Sequence, residues 1–406
     1  MRIFYFYFIK NFLKEFSWKK FQSQEECSSL LKWLSETPKT TTVRVNLLKS
    51  TLAQVQDRIT DEVLKAYPYS APRIELIDGL PEVIAIGNLS SSPPPEPSNL
   101  KEIIVDVHCG AAILRGAHIF APGVMAMPTK TQIDEIVDVS ADVVGLCKKG
   151  TNVHYDGEKV FLGRGRVKMQ RHQLYGSDVV PSGVAVEMLE TVSGVPSLGD
   201  AYLEDVGLLQ NLPSIVCGRV LNPQSRERIL DMCAAPGNKT THLAELMRNR
   251  GQLIALDKSE RRVGLLQKNT SHFDSVQCFV CDATKAVRMT VDEGESPPFD
   301  SQSFDRILLD APCSGIGNRP LLAVHMTAKM QSSYPKIQRK LFTTAVQLLK
   351  PGGTLVYSTC TIFPSENERI VAWALEKFHD QIDLVPAEPF FGGPGWSACG
   401  LTESQR

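Results

Sequence analysis

Five apolar runs alternate with helical segments in the second half of the chain, and this alternation constrains the fold more than any other feature. A long amphipathic segment between Tyr334 and Leu349 is one of the helices. The runs are "RILDMCA", "QLIALD", "VQCFVCD", "FDRILLD" and "GTLVYSTC". Apolar strands joined by helices are typical of a parallel sheet covered on both faces. The sequence therefore predicts an α/β, doubly wound domain over residues 193–406.

The polar residues of this half follow the strands directly. Asp231, Asp257, Asp282 and Asp310 close the first four strands, and Cys360 follows the fifth. In an open α/β sheet, ligands bind at the carboxyl ends of the strands. An acid that ends the second strand suits the two hydroxyls of a ribose. These positions predict a nucleoside-binding site at one edge of the sheet.

The turn after the first strand favours S-adenosylmethionine as the cofactor. Neither G-x-x-x-x-G-K-[ST] nor G-x-G-x-x-G occurs, and the acids would admit a nucleotide triphosphate only with a metal ion. A nucleoside carrying a sulfonium charge suits the acids, and no metal is expected. The predicted cofactor residues are Cys233, Ala234, Ala235, Pro236, Gly237, Asn238, Lys239, Asp257, Asp282 and Asp310.

Two cysteines leave apolar strands in matching positions. Cys313 lies in "LLDAPCSGIG", and Cys360 lies in "TLVYSTCTI", 47 residues further along. A single free cysteine is usually a small buried hydrophobic residue. Two of them beside Asp310 and the other strand-end acids predict a shared catalytic site.

The first half of the chain divides into two predicted segments. Residues 1–99 form an α+β segment, with helical spacing over 11–36, a strand at "TTVRVN", a helix near 52–65 and a linker at 88–99. Residues 100–192 contain short runs broken by glycine, a pattern typical of a small β-barrel. Basic residues concentrate in 148–171, and this pattern alone leaves open a solvated loop face or a phosphate-binding patch.

Composition limits the remaining possibilities. The 44 basic and 45 acidic side chains nearly cancel, so net charge identifies no partner. Ten dispersed cysteines fit free thiols in a reducing compartment. The pair Cys278 and Cys281 lies in a strand-like run that separates their side chains, which favours a structural role over metal binding. No signal peptide or membrane span is evident, so we expect a cytoplasmic or nuclear protein and favour the cytoplasm. We also expect a monomer.

Several motifs identify a resemblance to a known family. "DAPCSG", "YSTCT", "DMCAAPGNK" and "QNLPS" resemble the NSUN family of RNA cytosine-5 methyltransferases, over residues 208–378. "RGAHIFAPGV" and "GLCKKG" look like the PUA domain of a tRNA-methylating branch of that family. The resemblance implies a Rossmann-like, S-adenosylmethionine-dependent methyltransferase domain and an inserted PUA-like RNA-binding domain at 100–192. It also implies 5-methylcytosine formation near the acceptor end of tRNA.

The resemblance also implies roles for the catalytic residues. Carbon 5 of cytosine is a weak nucleophile, so a thiolate must first add at carbon 6. By analogy with the family, Cys360 is this nucleophile and Cys313 assists its release. Asp310 would hydrogen-bond the cytosine edge, and Lys239 would lie near both cofactor and base, where its charge favours a thiolate.

The same resemblance implies the RNA contacts. Lys148 and Lys149 would bind phosphates, and Arg115 and Phe120 would flank or stack on the terminal bases.

Two departures from the family pattern support a second hypothesis. The family turn reads P-G-G-K, whereas Asn238 occupies the second glycine position here. Asn tolerates a positive φ but would clash if the backbone must approach a ligand closely. The family also continues into a C-terminal strand that we expect to be missing from this sequence. The alternative is therefore a non-catalytic RNA-binding protein that retains the methyltransferase fold.

Overall fold

The structure is a computed structural model that describes residues 24–69, 72–89, 94–176, 180–199, 201–288, 294–324, 326–396 and 399–405. The chain forms two compact units. The N-terminal unit comprises the described residues up to Leu209 together with those of 318–325. The C-terminal unit comprises the described residues of 210–317 and 326–406. The helical spacing predicted over 11–36 lies partly outside the described residues.

An antiparallel four-stranded sheet begins the N-terminal unit. Its strands, in the order β10-β1-β3-β2, are β1 (Thr40–Val45), β2 (Ile74–Ile77), β3 (Leu80–Gly87) and β10 (Gly207–Leu209). Helix α1 spans Gln24–Ser35, and α2 spans Leu52–Ala66. A capping box between Thr51 and Gln54 starts α2, whose apolar face packs on this sheet. Strand β10 comes from the stretch that the sequence prediction assigned to the methyltransferase domain.

The predicted β-rich segment forms a mixed six-stranded sheet in the order β5-β9-β8-β7-β4-β6. Its strands are β4 (Glu102–Val105), β5 (Ile119–Phe120), β6 (Val124–Ala126), β7 (Ile136–Asp142), β8 (Lys159–Val167) and β9 (Val184–Thr191). Helices α3 (Val107–Leu114) and α4 (Arg171–Tyr175) accompany it. Among the described strands, β5 and β6 stand at the two ends of this order, and the predicted small β-barrel stays a prediction.

Residues 318–325 return to the N-terminal unit, which the sequence analysis did not predict. Leu322 is buried in the core of the six-stranded sheet. The Arg319 guanidinium lies over the Trp33 ring at 4.1 Å and donates a hydrogen bond to the Glu36 carbonyl. The backbone amide of Leu321 donates to the carbonyl of Leu34 at 2.7 Å. These contacts make the segment part of the unit's packing.

The C-terminal unit contains the predicted doubly wound parallel sheet, which confirms this part of the fold prediction. The strand order is β13-β12-β11-β14-β15. The strands are β11 (Arg228–Asp231), β12 (Gln252–Asp257), β13 (Val276–Val280), β14 (Phe304–Asp310) and β15 (Leu349–Ser358). The helices are α5 (Leu212–Leu221), α6 (Asn238–Leu246), α7 (Glu260–Thr270), α8 (Ala328–Leu348) and α9 (Glu368–Lys377). The order reverses between β11 and β14, which is where ligands bind in such sheets.

Strand β15 forms one edge of this sheet. It pairs in parallel with β14, and its other side has no strand partner among the described residues. Across the described part of the chain, no helix is both long enough and apolar enough to cross a membrane.

Candidate active site

The predicted cofactor turn connects β11 to α6 and contains one strained backbone position. Gly237 has φ +112°, a conformation that favours glycine, and a Cβ there would approach Leu266 to 3.0 Å. Asn238 is the first residue of α6 and is not among the positive-φ residues. The positive φ therefore falls on Gly237, and Asn238 creates no backbone strain.

Neighbouring elements hold the turn in place. The Ala234 amide donates to the Leu256 carbonyl at 2.8 Å, and the Arg262 guanidinium donates to the Ala235 carbonyl. The Asn269 side-chain amide donates to the Pro236 carbonyl at 2.9 Å. Three groups from β12 and α7 thus fix the turn.

The strand-end acids are also fixed. Asp257 is buried, accepts from the Ser259 amide at 3.0 Å and pairs with Arg262 at 3.1 Å. Asp282 accepts from both the amide and the hydroxyl of Thr284, and the hydroxyl bond is the main cause that lowers the pKa of this carboxyl. Both carboxylates lie where β12 and β13 end. They therefore suit hydroxyl donors of a nucleoside.

Asp231 provides a test of whether the cofactor fits. Its side chain is wholly buried, and burial raises the pKa of the carboxyl to about 7. Oδ2 accepts from the Thr240 hydroxyl at 2.8 Å, whereas Oδ1 is buried without a hydrogen-bond partner. A buried carboxylate with an open oxygen favours a nearby positive charge. S-adenosylmethionine carries positive charge, so the residues present fit this cofactor.

Cys233 lies in the same turn but is not a reactive thiol. Burial raises its pKa strongly, and the nearby carboxylates of Asp231 and Asp257 raise it further. The group stays a neutral thiol near pH 7. Within the described residues, no group of three or more His, Cys, Asp or Glu side chains could hold a metal ion.

The register of β14 and β15 brings the two predicted catalytic cysteines together. Asp310 and Ser358 are paired partners at the ends of these strands. The chain then continues to Cys313 and Cys360, whose sulfur atoms are 3.1 Å apart. The Cys360 amide also donates to the Cys313 sulfur at 3.2 Å. The predicted shared site is therefore a direct thiol–thiol contact.

The two thiols differ in environment. Cys360 is exposed, whereas Cys313 is partly buried. The hydrogen bond with Cys360 is the main cause that raises the pKa of Cys313, and burial adds to it. Cys313 is thus the thiol of the pair that keeps its proton. Cys360 is the more exposed sulfur of the two, and its role as nucleophile stays a prediction.

Asp310 and Lys239 form an ion pair beside the thiols. The Lys239 ammonium lies 2.7 Å from Oδ2 of Asp310, and the Ser358 hydroxyl donates to Oδ1 at 2.7 Å. Burial alone would lower the pKa of Lys239, but attraction and hydrogen bonding to Asp310 outweigh it and raise the pKa overall. Lys239 therefore remains charged at neutral pH, and two donors orient Asp310.

Two further residues near the thiols were missed in the sequence analysis. Ser358 lies within the "YSTCT" motif, and its position opposite Asp310 follows from strand register. Gly317 donates its amide to the Cys360 carbonyl at 2.9 Å, and a Cβ on Gly317 would lie 2.9 Å from the same oxygen. The glycine-rich character of "CSGIG" was the available signal for this close approach.

The predicted RNA-binding residues lie in the N-terminal unit. Lys148 and Lys149 follow β7, and the Lys149 ammonium donates to the Pro122 carbonyl at 3.1 Å. Phe120, two residues before Pro122, is 52% exposed. Lys149 and Phe120 therefore belong to neighbouring surface segments, as a shared contact surface requires.

Arg115 has a different environment from the other predicted RNA contacts. Its guanidinium donates to the Arg319 carbonyl at 3.1 Å within the same unit. Burial lowers its pKa. The side chain holds the 318–325 segment, and its predicted contact with RNA bases stays a prediction.

Most of the basic segment has structural partners. Lys159 pairs with Glu102, Arg164 with Asp138 and Glu190, and Lys168 with Asp134 and Glu187. By contrast, neither Lys148 nor Lys149 forms an ion pair with an acid in the part of the chain that the structure describes. The exposed Arg166 likewise forms no ion pair with a described acid, so the exposed, unpaired positive charge of this segment lies on Lys148, Lys149 and Arg166.

Side chains at both ends fix the loop that carries these lysines. Asp142 accepts from the amides of Val144, Gly145 and Cys147 at 2.7 to 3.1 Å. At the other end, the Arg171 guanidinium donates to the carbonyl of Gly150. The loop is therefore preorganised by its own unit.

Comparison with known proteins agrees with this geometry. The family model of the 16S rRNA methyltransferase RsmB/F matches residues 218–393. The chain is 44% identical to the tRNA (cytosine(72)-C(5))-methyltransferase NSUN6 of Homo sapiens, covering 95% of this chain and 82% of the human one. It is 30% identical to the tRNA (cytosine(72)-C(5))-methyltransferase of Pyrococcus horikoshii, and the match covers 97% of this chain and 91% of the archaeal one.

A solved structure gives the same result. The crystal structure of NSun6 from Pyrococcus horikoshii with SFG matches with a TM-score of 0.72 and 28% identity, over 95% of this chain and 90% of that one. The similarity extends across nearly the whole of both chains. The chain therefore belongs to the RsmB/F and NSUN family of S-adenosylmethionine-dependent RNA (cytosine-C5) methyltransferases.

Proposed function

We propose that this protein forms 5-methylcytosine at the acceptor end of tRNA. The observation that carries the proposal is the pair of sulfur atoms 3.1 Å apart beside the Asp310–Lys239 ion pair. Relatives that match almost the full chain are named for cytosine 72 of tRNA. Asn238 has an ordinary helical conformation, which removes backbone strain as an argument for the non-catalytic alternative, whereas a clash on close approach to the cofactor stays part of that alternative.

Cys360 is the nucleophile in this proposal. Its thiolate adds to carbon 6 of the cytosine, and the electron pair of the carbon 5–carbon 6 double bond becomes available at carbon 5. Asp310, fixed by Lys239 and Ser358, accepts a hydrogen bond from the cytosine edge. When bound near the turn of residues 233–239, S-adenosylmethionine supplies an electrophilic methyl group.

Cys313 acts at the release step. The carbon 5 proton passes to water, its bonding pair re-forms the carbon 5–carbon 6 double bond, and the carbon–sulfur pair returns to Cys360. Because Cys313 keeps its proton, it can donate a hydrogen bond to the sulfur that regains negative charge. The two thiols therefore divide the reaction into attack and release.

The six-stranded sheet supplies the proposed RNA contact as a PUA-like module. Lys148 and Lys149 bind backbone phosphates, and exposed Phe120 offers a face for a terminal base. A base near the end of a stem is readily unstacked, as access to Cys360 requires. A cytoplasmic location and a monomeric state stay predictions.

The test uses tRNA that carries 5-fluorocytosine. Fluorine replaces the proton that must leave, so the thiol that attacks carbon 6 stays covalently attached to the RNA. Parent protein should give a covalent band on a denaturing gel, and Cys360→Ala should give neither band nor turnover. With ordinary cytosine, Cys313→Ala should transfer the methyl group and then accumulate a covalent product.

Two controls define the result. Cys109→Ala removes a thiol that packs against the core of the N-terminal unit and should behave as the parent. An adduct lost in Cys313→Ala and kept in Cys360→Ala would reverse the assignment. No methyl transfer by the parent to any tRNA, with intact cofactor binding in calorimetry, would favour the non-catalytic alternative.

A further inference from the structure

Glu366 is a buried acid close to the catalytic thiols that the proposed mechanism does not use. In the sequence it lies between Cys360 and helix α9, and it is fully buried. Oε2 accepts hydrogen bonds from the Ser314 amide and the Gln338 side-chain amide, both at 3.0 Å. Oε1 is buried without a hydrogen-bond partner. A buried carboxylate is costly, so its presence needs an explanation.

Glu366 and its partner Gln338 bind the backbone on the two sides of Cys313. The amide of Ser314, directly after Cys313, donates to Glu366. The carbonyl of Pro312, directly before Cys313, accepts from the Gln338 side-chain amide at 3.0 Å. Gln338 is also fully buried, and the same nitrogen donates to Glu366. Glu366 and Gln338 thus hold the residues on both sides of this thiol.

Glu366 is itself fixed to the segment that carries Cys360. The Tyr357 hydroxyl donates to the Glu366 carbonyl at 2.6 Å, and Tyr357 lies on the strand that leads to Cys360. A second link joins the hydroxyls of Ser314 and Thr361 at 2.6 Å. The thiol–thiol spacing is therefore set by a buried polar network between the two loops.

We propose that Glu366 is a positioning residue that holds Cys313 against Cys360 for the release step. This inference rests on the proposed function, since it assigns Glu366 to one step of that reaction. The role requires a hydrogen-bond acceptor and does not require a negative charge, because both partners of Oε2 are neutral amide donors. Loss of the acceptor lets the Cys313 loop move while Cys360 keeps its attacking position.

The experiment compares the parent with Glu366→Ala, Glu366→Gln and Cys313→Ala in single-turnover methylation of tRNA. Free methylated RNA and covalent enzyme–RNA product are measured together on a denaturing gel. Glu366→Ala should slow release by about 100-fold, the effect of misplacing a catalytic group by about 1 Å. It should accumulate the same covalent product as Cys313→Ala, which general destabilisation would not cause. Glu366→Gln keeps an acceptor oxygen and should release RNA near the parental rate.

The control is Glu376→Gln, which removes the same charge from an exposed position on α9 and should behave as the parent. If Glu366→Ala does not fold, Gln338→Met removes the partner amide with little change in volume and should give the same covalent product. Parental release by a folded Glu366→Ala, or by Gln338→Met in its place, would overturn the proposal. Equal slowing in Glu366→Gln would overturn the acceptor role.

A measurement without RNA separates this inference from the proposed function. Iodoacetamide alkylation, mapped by mass spectrometry, should label Cys313 severalfold faster in the Glu366 or Gln338 variant, with little change at Cys360. Unchanged Cys313 labelling would overturn the positioning role even if no RNA is methylated. Absent methyl transfer by the parent would instead count against the proposed function alone.

Discussion

Replacing Gly317 with alanine should slow methyl transfer about tenfold without weakening cofactor binding. The new Cβ would lie 2.9 Å from the Cys360 carbonyl oxygen, whereas ordinary contact begins at 3.4 Å. The neighbouring atom is backbone, so no flexible side chain can relieve the contact. The backbone of Cys360 must therefore move by about 0.5 Å. If a 1 Å misplacement of a catalytic group lowers the rate about 100-fold, half of that distance lowers it about tenfold. This corresponds to about 1.4 kcal/mol of activation free energy.

The assay is single-turnover transfer of a labelled methyl group to tRNA with enzyme in excess. Calorimetry measures cofactor affinity in parallel, and this affinity should equal that of the parent. The matched control is Gly264→Ala on helix α7, where an added Cβ meets nothing within 4 Å. That variant should keep the parental rate and gain up to about 1 kcal/mol of stability, because alanine favours the helix. Equal rates for Gly317→Ala and Gly264→Ala would refute the reasoning.

Three further predictions concern other parts of the chain. Replacing Lys148 and Lys149 with alanine should weaken tRNA binding. The slope of the logarithm of the binding constant against the logarithm of the salt concentration should fall by about 2, one unit for each phosphate contact; an unchanged slope in filter binding would contradict this. Asp231 has a folded pKa of about 7, above its ordinary 3.8. Asp231 should therefore contribute stability that is lost as pH rises from about 4 to 7, so the melting temperature of Asp231→Asn relative to the parent should increase over that range; a constant difference in scanning fluorimetry would exclude this linkage. Adding a relative's C-terminal segment should cover the free edge of β15 and raise both solubility and activity; no change in either would show that this edge needs no cover.

The methyltransferase fold and the thiol pair could be predicted because both depend on a regular pattern. Apolar strands and intervening helices are local features, and parallel strands place their carboxyl ends at one edge. Asp310, Cys313 and Cys360 therefore had to lie near one another once the strands were recognised. The 3.1 Å contact itself needed the register of β14 with β15.

Other features depended on contacts between distant residues, which local patterns do not reveal. The family resemblance predicted Arg115 as an RNA contact, and no local pattern showed that it donates to a carbonyl 204 residues away. Glu366 is one of two acids in "SENE", a stretch for which no role was predicted, and only its burial and its bond to Ser314 distinguish it. The same holds for Lys159 and Arg164, whose charges are matched by acids on other strands.

The return of residues 318–325 to the N-terminal unit affects how the protein is made. During synthesis, domains generally fold as they emerge, the N-terminal one first. Here Leu322 completes the core of the six-stranded sheet. This core therefore cannot be completed until more than a hundred residues beyond β9 have been translated. The nascent N-terminal unit must therefore remain on the ribosome with an apolar gap where Leu322 will pack. Chaperone demand should consequently be highest before this segment leaves the exit tunnel, and a ribosome stalled ahead of it should present an incomplete, aggregation-prone unit.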